Sequence, residues 1–131
     1  MKDTTKALDS LKTLLEAGVS PFHAIAESER RLKEQGFQKL ILGEAWSVAP
    51  GNSYYVNLYG SSLIAFSIGA NAKKGEKAPV FRMAASHTDW PCLRIKPTPE
   101  MTKDGYGLLN VDCYGGMLLQ TWFDRPLSIA G

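Results

Sequence analysis

The fold is decided by the stretch Pro79-Val80-Phe81-Arg82-Met83-Ala84-Ala85-Ser86-His87-Thr88-Asp89. Residues 79–85 are nearly continuous in apolar character apart from Arg82, which is typical of a strand buried on both faces inside a larger sheet. A His-x-Asp pair, His87 and Asp89, follows at once. Because loops at the carboxyl ends of central strands open into a crevice, α/β proteins place binding groups there. The stretch therefore predicts a buried strand that carries a functional loop.

The His-x-Asp pair suits metal chemistry. His87 can offer one imidazole nitrogen to a metal ion. Asp89 can accept a hydrogen bond from the other nitrogen, which fixes the tautomer and makes the imidazole a better donor. The alternative is a structural hydrogen-bonded pair, which is the commoner role of a lone histidine near an aspartate. The spacing alone leaves both interpretations open.

Upstream of this stretch the pattern is helical. Leucines at helical spacing predict a first helix over about residues 4–17, ended by Gly18. A second helix begins with Ser20 as N-cap and Pro21 in the first helical position, and Gly36 is its natural end. In that second helix we expect one apolar stripe and a mostly polar exterior, which comprises Glu27, Arg30, Arg31 and Lys33.

The rest of the chain is rich in strand formers. Residues 54–59 and 62–68 predict two strands joined as a hairpin through Gly60 and Ser61, and 71–78 predicts a polar loop. Two more short strands are predicted at 93–96 and 106–111. The predicted fold class is α/β: two N-terminal helices and a mixed β-sheet that form part of a larger catalytic domain. A new apolar segment starts at residue 122, and no helix that could cover the sheet follows it. We therefore expect the sequence to be the first part of a longer chain.

Composition limits the function classes. The chain has 131 residues, of which 44% are hydrophobic and 21% charged, as in an ordinary soluble globular domain. A net charge of +2 gives no electrostatic case for a nucleic-acid partner. No window is long and apolar enough to cross a membrane, and residues 1–6 are too polar for a signal core. We therefore expect a cytoplasmic protein with neither a nucleic-acid nor a membrane partner.

Several other residues have side chains that can bind a metal ion. Cys92 and Cys113 form neither a CxxC pair nor a disulfide framework, so packed or partly exposed thiols are expected. His23, at the start of the second helix, is expected to hydrogen-bond a neighbouring strand or loop rather than to serve as a ligand. Asp112 lies at the end of a strand and is an available carboxylate, whereas Asp124 is expected to form an ion pair or turn cap.

Three segments, in this order along the chain, resemble the zinc aminopeptidases that include aspartyl aminopeptidase and vacuolar aminopeptidase I. The first is Ser20-Pro21-Phe22-His23-Ala24 with the strand Gly60–Phe66. The second is Ser86-His87-Thr88-Asp89 with Pro91, Cys92 and Leu93. The third is Tyr114-Gly115-Gly116 with Thr121–Arg125 and its continuation to Gly131. The resemblance covers essentially the whole chain. It departs from the family at Trp90, where a small residue is usual, at Asp112, usually Glu, and at Pro126, usually Asp.

The resemblance implies a role for each matched residue. His87 would be a zinc ligand, and Asp89 the catalytic-site carboxylate that orients it. The complete enzyme would hold two zinc ions, which lower the pKa of a shared water and polarise the scissile carbonyl of a peptide substrate. Residues 1–131 would be the N-terminal segment of the catalytic domain, cut before an inserted dimerisation domain, in a protein expected to be a homo-oligomer. Trp90, beside the ligand motif, could narrow the substrate pocket.

One visible ligand cannot hold zinc, because zinc sites usually use at least three protein ligands. We therefore predict part of a metallo-aminopeptidase that is inactive and metal-free by itself. Two alternatives are a subunit completed by a second chain and a non-catalytic relative that serves in binding or oligomerisation.

Overall fold

The computed structural model describes residues 2–73, 75 and 80–131. Within these residues the order is α1 (Lys2–Ala17), α2 (Pro21–Glu34), β1 (Gln38–Leu40), β2 (Ser53–Leu58), β3 (Ser62–Ser67), β4 (Cys92–Lys103), β5 (Tyr106–Tyr114) and a 3-10 turn, Leu119–Thr121. The chain divides into two compact units, residues 1–88 with 130–131, and residues 89–129. No helix in the described part of the chain is both long and apolar enough to span a bilayer.

Helix α2 has both of its ends encoded locally, as predicted. The Ser20 hydroxyl accepts a hydrogen bond from the backbone N–H of His23 at 3.3 Å, and Pro21 takes the first helical position. At the other end Gly36 has φ +80°, and the backbone N–H groups of Gly36 and Phe37 donate to the carbonyls of Lys33 and Leu32. This is a Schellman motif, which needs the left-handed backbone that glycine adopts at little cost.

The first unit contains a mixed three-stranded sheet in the order β1-β2-β3. Strands β2 and β3 form the predicted antiparallel hairpin, with Tyr54 opposite Phe66. Strand β1, which was not predicted, pairs parallel to β2. An ion pair of 2.8 Å between Lys39 of β1 and Glu29 of α2 links the helix to this strand. The expected α/β class with two helices and a mixed sheet is therefore confirmed.

The core of this unit lies where α2 packs on β2 and is formed by Ile25, Tyr54, Tyr55 and Val56. The two adjacent tyrosines are buried differently. The Tyr54 hydroxyl accepts hydrogen bonds from the backbone N–H of Ala49 at 2.9 Å and from the Asn52 side chain at 3.3 Å. The buried Tyr55 hydroxyl has no hydrogen-bond partner among the described residues, and burial raises the pKa of Tyr55.

The prediction for Glu27 was wrong. Expected on the polar exterior, its side chain is 9% exposed. Both oxygens accept hydrogen bonds from Arg30, and one also accepts from Arg31, at 2.7 Å in each case. Arg31 in turn donates to the Ser10 hydroxyl and carbonyl on α1. The two guanidinium groups neutralise the carboxylate, which allows its burial beside the first helix.

The prediction of a buried strand at 79–85 was also wrong for its described part. Residues 80–85 belong to no strand and are exposed, and Pro79 lies outside the described residues. A strand buried on both faces needs a hydrogen-bonded neighbour on each side. No described residue fills either place, so the run lacks the surroundings that its composition suits. The predicted loop at 71–78 is described only at 71–73 and 75, which are exposed.

The second unit is built on an antiparallel ribbon of β4 and β5, longer than the two short strands predicted there. Its tip is a two-residue turn, Asp104-Gly105, with φ values of 53° and 82°. The register shifts between Ile95 and Glu100, so that residues 96–99 lie opposite Asn110 alone. Prolines at 97 and 99 have no N–H to donate to a ladder, which explains the bulge at this place.

Candidate functional site

His87 is the last residue of the exposed segment 80–87. The next residue fixes the segment: the Thr88 hydroxyl donates to the Ser61 carbonyl at 3.1 Å. Ser61 is the last residue of the turn between β2 and β3, in which Tyr59 and Gly60 have φ values of 56° and 76°. The Asn57 side chain accepts the Gly60 N–H at 2.7 Å and stabilises this turn. The first unit thus holds the residue after His87 on an ordered hairpin end.

Asp89 belongs to the second unit and is held by Tyr114, the last residue of β5. The Tyr114 hydroxyl donates a short hydrogen bond to Oδ2 of Asp89. This bond raises the pKa of Tyr114, because loss of its proton would bring two negative charges together. Tyr114 therefore stays a hydrogen-bond donor to the carboxylate at neutral pH, and Asp89 has a fixed position relative to the ribbon.

A glycine next to this tyrosine completes the anchor. Gly115 has φ +81°, and a Cβ at this position would lie 3.2 Å from the Cα of Pro91. The backbone of Gly115 therefore lies against the loop that contains Asp89 and Pro91. The contact requires glycine for two reasons, the left-handed backbone and the close approach. The sequence identifies Tyr114-Gly115-Gly116 only as part of a segment that resembles the family. The structure shows that two of these residues hold the predicted ligand loop.

The base of the ribbon, where residues 92–95 of β4 pair with residues 111–114 of β5, has one polar face and one apolar face. Directly opposite residues of an antiparallel pair share a face, so Cys92, Tyr114, Arg94 and Asp112 lie together. The Arg94 guanidinium stacks on the Tyr114 ring at 3.6 Å from the ring centre. Asp112, which was an available carboxylate in the sequence, forms an ion pair with Lys96 at 3.1 Å. The structural interpretation of Asp112 is therefore favoured over a ligand role.

The two cysteines are free thiols, as expected. Cys92 lies opposite Tyr114, and Cys113 lies opposite Leu93. They consequently project from opposite faces of the ribbon and cannot form a disulfide without rearrangement of the strands.

His23, the other histidine of the chain, has a structural hydrogen bond, as was expected. Its Nδ1 lies 2.8 Å from the Ser20 hydroxyl, so its partner is the helix cap itself rather than a strand or loop. Asp124 is exposed in the segment after the 3-10 turn, and its ion pair or cap remains a prediction.

The described residues do not form a zinc site by themselves. Among them, no three histidine, cysteine or carboxylate side chains come close enough together to hold a metal ion. A protein zinc site needs at least three such ligands. His87 and Asp89 can therefore supply only part of a site.

A family model described as aminopeptidase I zinc metalloprotease (M18) matches residues 14–131. The chain belongs to the M18 family. It is 45% identical over 130 residues to a probable M18 family aminopeptidase 2 of Pseudomonas putida (strain GB-1), and the match covers 94% of this chain and 29% of that protein. The family recognised from the motifs is thus confirmed.

Solved structures give the same family fold. A chain in the cryo-EM structure of the Ape4 and Nbr1 complex is 41% identical, with a TM-score of 0.83 over 91% of this chain and 22% of that one. The mApe1 dodecamer of S. cerevisiae has a TM-score of 0.69 at 24% identity, over 86% of this chain and 26% of that one. The M18 chain described here therefore spans about 29% of the length of the curated relatives that it matches.

Proposed function

We propose that this chain is the N-terminal part of the catalytic domain of a zinc-dependent M18 aminopeptidase, which removes N-terminal residues from peptides. Its contribution is the segment 86–89, with His87 as one zinc ligand and Asp89 as the carboxylate that orients the imidazole. The proposal rests above all on the family match over residues 14–131, which includes this segment.

The contacts on both sides of the segment support the proposal. Thr88 is held to the hairpin of the first unit, and Asp89 is held to Tyr114 of the second. A metal ligand must be held close to its productive position, and this depends on supporting hydrogen bonds around it. The two anchors are the type of support that a ligand loop requires.

The described residues contain no group of three histidine, cysteine or carboxylate side chains that could hold a metal ion, so the proposed site needs ligands from outside them. A bound zinc ion would supply Lewis-acid chemistry and an activated water. The proposal includes two ions in the assembled enzyme, a cytoplasmic location and a homo-oligomeric state, the last because a related mApe1 forms a dodecamer.

The test is a chimera in which this chain replaces the matched region of the Pseudomonas putida relative. We expect metal-dependent aminopeptidase activity, and we expect His87→Ala to abolish both turnover and retention of one zinc ion. Asp89→Asn should lower activity or metal affinity by about 10- to 100-fold. His23→Ala is the matched control, since His23 contacts only a helix cap in the contacts described, and it should retain zinc. A chimera that keeps full activity after His87→Ala would disprove the ligand assignment.

A further inference from the structure

The plane of the Asp89 carboxylate is set by a neighbouring side chain. The terminal torsion of an aspartate is broad and roughly two-fold, so the covalent structure alone does not fix where the two oxygens point. In this chain the Tyr114 hydroxyl donates to Oδ2 of Asp89, and both side chains are half-buried. A fixed Oδ2 defines the plane of the carboxylate. It therefore also defines the direction in which Oδ1 can accept a hydrogen bond.

The ring of Tyr114 is held in turn by Arg94. The guanidinium lies over the face of the ring, 3.6 Å from its centre. Asp112 is directly opposite Arg94 in the ribbon, but it forms an ion pair with Lys96 at 3.1 Å. The charge of Asp112 is thus balanced by Lys96, and Arg94 stacks on the ring at the diagonal position of the same face.

The stacked cation also acts on the tyrosine hydroxyl. A positive charge over the ring stabilises negative charge on the phenol oxygen, which makes the hydroxyl a stronger hydrogen-bond donor. The hydrogen bond to Asp89 raises the pKa of Tyr114, whereas the charge of Arg94 acts to lower it. All three residues belong to the second unit, so the chain of contacts is complete within residues 89–114.

We propose that Arg94 and Tyr114 are positioning residues of the M18 reaction, which act in series on Asp89. Arg94 holds and polarises the Tyr114 ring, and Tyr114 orients the Asp89 carboxylate. Asp89 in turn orients the imidazole of His87, and for this last step the role rests on the proposed function. Neither positioning residue contacts metal or substrate in this scheme. Both should therefore affect zinc affinity and turnover rather than substrate binding.

The experiment uses the chimera in which this chain replaces the matched region of the Pseudomonas putida relative. For Tyr114→Phe and Arg94→Met, kcat and KM are measured at a temperature at which every variant is folded. Zinc content is measured after dialysis against increasing concentrations of a chelator. We expect each substitution to lower kcat and the affinity for one zinc ion by about three- to tenfold, with KM changed by less than about twofold.

Action in series predicts that these losses do not multiply. The double variant of Arg94→Met with Tyr114→Phe should lose about as much as Tyr114→Phe alone, because no hydroxyl is left for Arg94 to polarise. In an Asp89→Ala background, Tyr114→Phe should change kcat by less than about twofold, since its acceptor is gone. Contacts that serve only the stability of the ribbon would leave kcat of the folded protein unchanged.

Lys96→Met is the matched control for Arg94→Met. It removes a cation from the same strand, two residues further on, whose partner is Asp112. It should leave kcat and zinc affinity within about twofold of the unmodified chimera. Arg94→Lys retains the charge but loses the planar stack, so it should restore only part of the loss caused by Arg94→Met.

The outcomes separate the positioning role from the proposed function. If His87→Ala leaves turnover and zinc content unchanged, the proposed function is wrong and the positioning role fails with it. If His87→Ala and Asp89→Ala both act as expected, the positioning role alone is wrong when Tyr114→Phe retains full kcat. It is also wrong when the losses from Tyr114→Phe and Asp89→Ala multiply. The part assigned to Arg94 is wrong when Arg94→Met behaves like Lys96→Met.

Discussion

The Tyr114 hydroxyl donates to the Asp89 carboxylate, and thereby joins the end of β5 to the loop that contains the predicted ligand motif. In the sequence, the two family motifs that this bond connects are separated by almost the whole β4–β5 ribbon. Tyr114 itself is positioned from the other side by Arg94, which stacks on its ring. The position of Asp89 thus depends on residues that never contact a metal in our proposal.

Removal of this bond is the first test. Tyr114→Phe should destabilise the chain by about 1 kcal/mol, because a part-buried charged hydrogen bond contributes more than a neutral one but is partly screened by solvent. Urea unfolding measures this, and hydrogen exchange at residues 89–92 should increase. Tyr106→Phe is the control, since Tyr106 is exposed at the tip of the same ribbon. Equal effects of the two substitutions would show that the bond to Asp89 contributes nothing.

The glycine pair after Tyr114 gives a sharper comparison. Gly115→Ala should cost about 1–2 kcal/mol for the left-handed backbone, in addition to the contact with Pro91 at 3.2 Å. Gly116→Ala should have little effect, because among the described residues only its chain neighbours can lie within 4 Å of a Cβ placed there. Thermal unfolding of both variants measures the difference. A Gly115→Ala protein as stable as Gly116→Ala would contradict the close approach to Pro91.

The adjacent tyrosines of β2 predict opposite results. Tyr54→Phe removes an acceptor from two donors and should destabilise the chain by about 1–3 kcal/mol. Tyr55→Phe removes a buried hydroxyl that has no partner among the described residues, so stability should be unchanged or increased. Denaturant unfolding under identical conditions compares the two. A larger loss for Tyr55→Phe would indicate that a bound water or another group satisfies its hydroxyl.

Glu27 predicts how stability depends on pH. Its hydrogen bonds to Arg30 lower the pKa of Glu27 from 4.5 to about 2. Since the folded pKa lies below the unfolded one, this stabilisation is complete above pH 4.5 and is lost as the pH falls towards 2. The melting temperature of Glu27→Gln should therefore lie below that of the wild type at pH 6, with the difference vanishing near pH 2.

The control for that series is Glu34→Gln, which removes only an exposed ion pair with Arg30. It should change stability by less than about 0.5 kcal/mol over the same pH range. A constant difference between wild type and Glu27→Gln from pH 6 down to pH 2 would contradict the lowered pKa.

Metal retention by the 131-residue chain alone is the last prediction. With one proposed ligand, the purified chain should keep only substoichiometric zinc after dialysis and should show no peptidase activity with added zinc. Elemental analysis and a chromogenic aminopeptidase substrate provide the two readouts. Stoichiometric zinc that His87→Ala removes would mean that this chain assembles a complete site, for instance between copies.

The features predictable from sequence were those with local signals. Ser20, Pro21 and Gly36 define the ends of α2 through groups a few residues apart, and the β2–β3 hairpin follows from strand formers around a turn. The burial of Glu27 was not predictable, because it depends on a contact between Arg31 and another helix. Strand β1 has three residues and no pattern of its own.

The candidate site shows the same division. His87 and Asp89 could be selected from the sequence, but their assigned roles are still predictions. The hydrogen bond from Tyr114 joins residues far apart in the chain and depends on the register of the ribbon. Residues 80–85 were predicted to form a buried strand because their apolar composition suits a position between two neighbouring strands. The described residues place no strand on either side of them.

The bulge at residues 96–99 divides the ribbon into two parts with independent registers. The base, from Cys92 to Ile95, keeps Tyr114 and Arg94 in place, whereas the tip is aligned by the Asp104-Gly105 turn. We expect the bulge to absorb changes of length or sequence in the tip before they reach Asp89. The outer ribbon is consequently free to diversify, and it is a suitable place to insert a tag or a new binding loop without disturbing the residues proposed for catalysis.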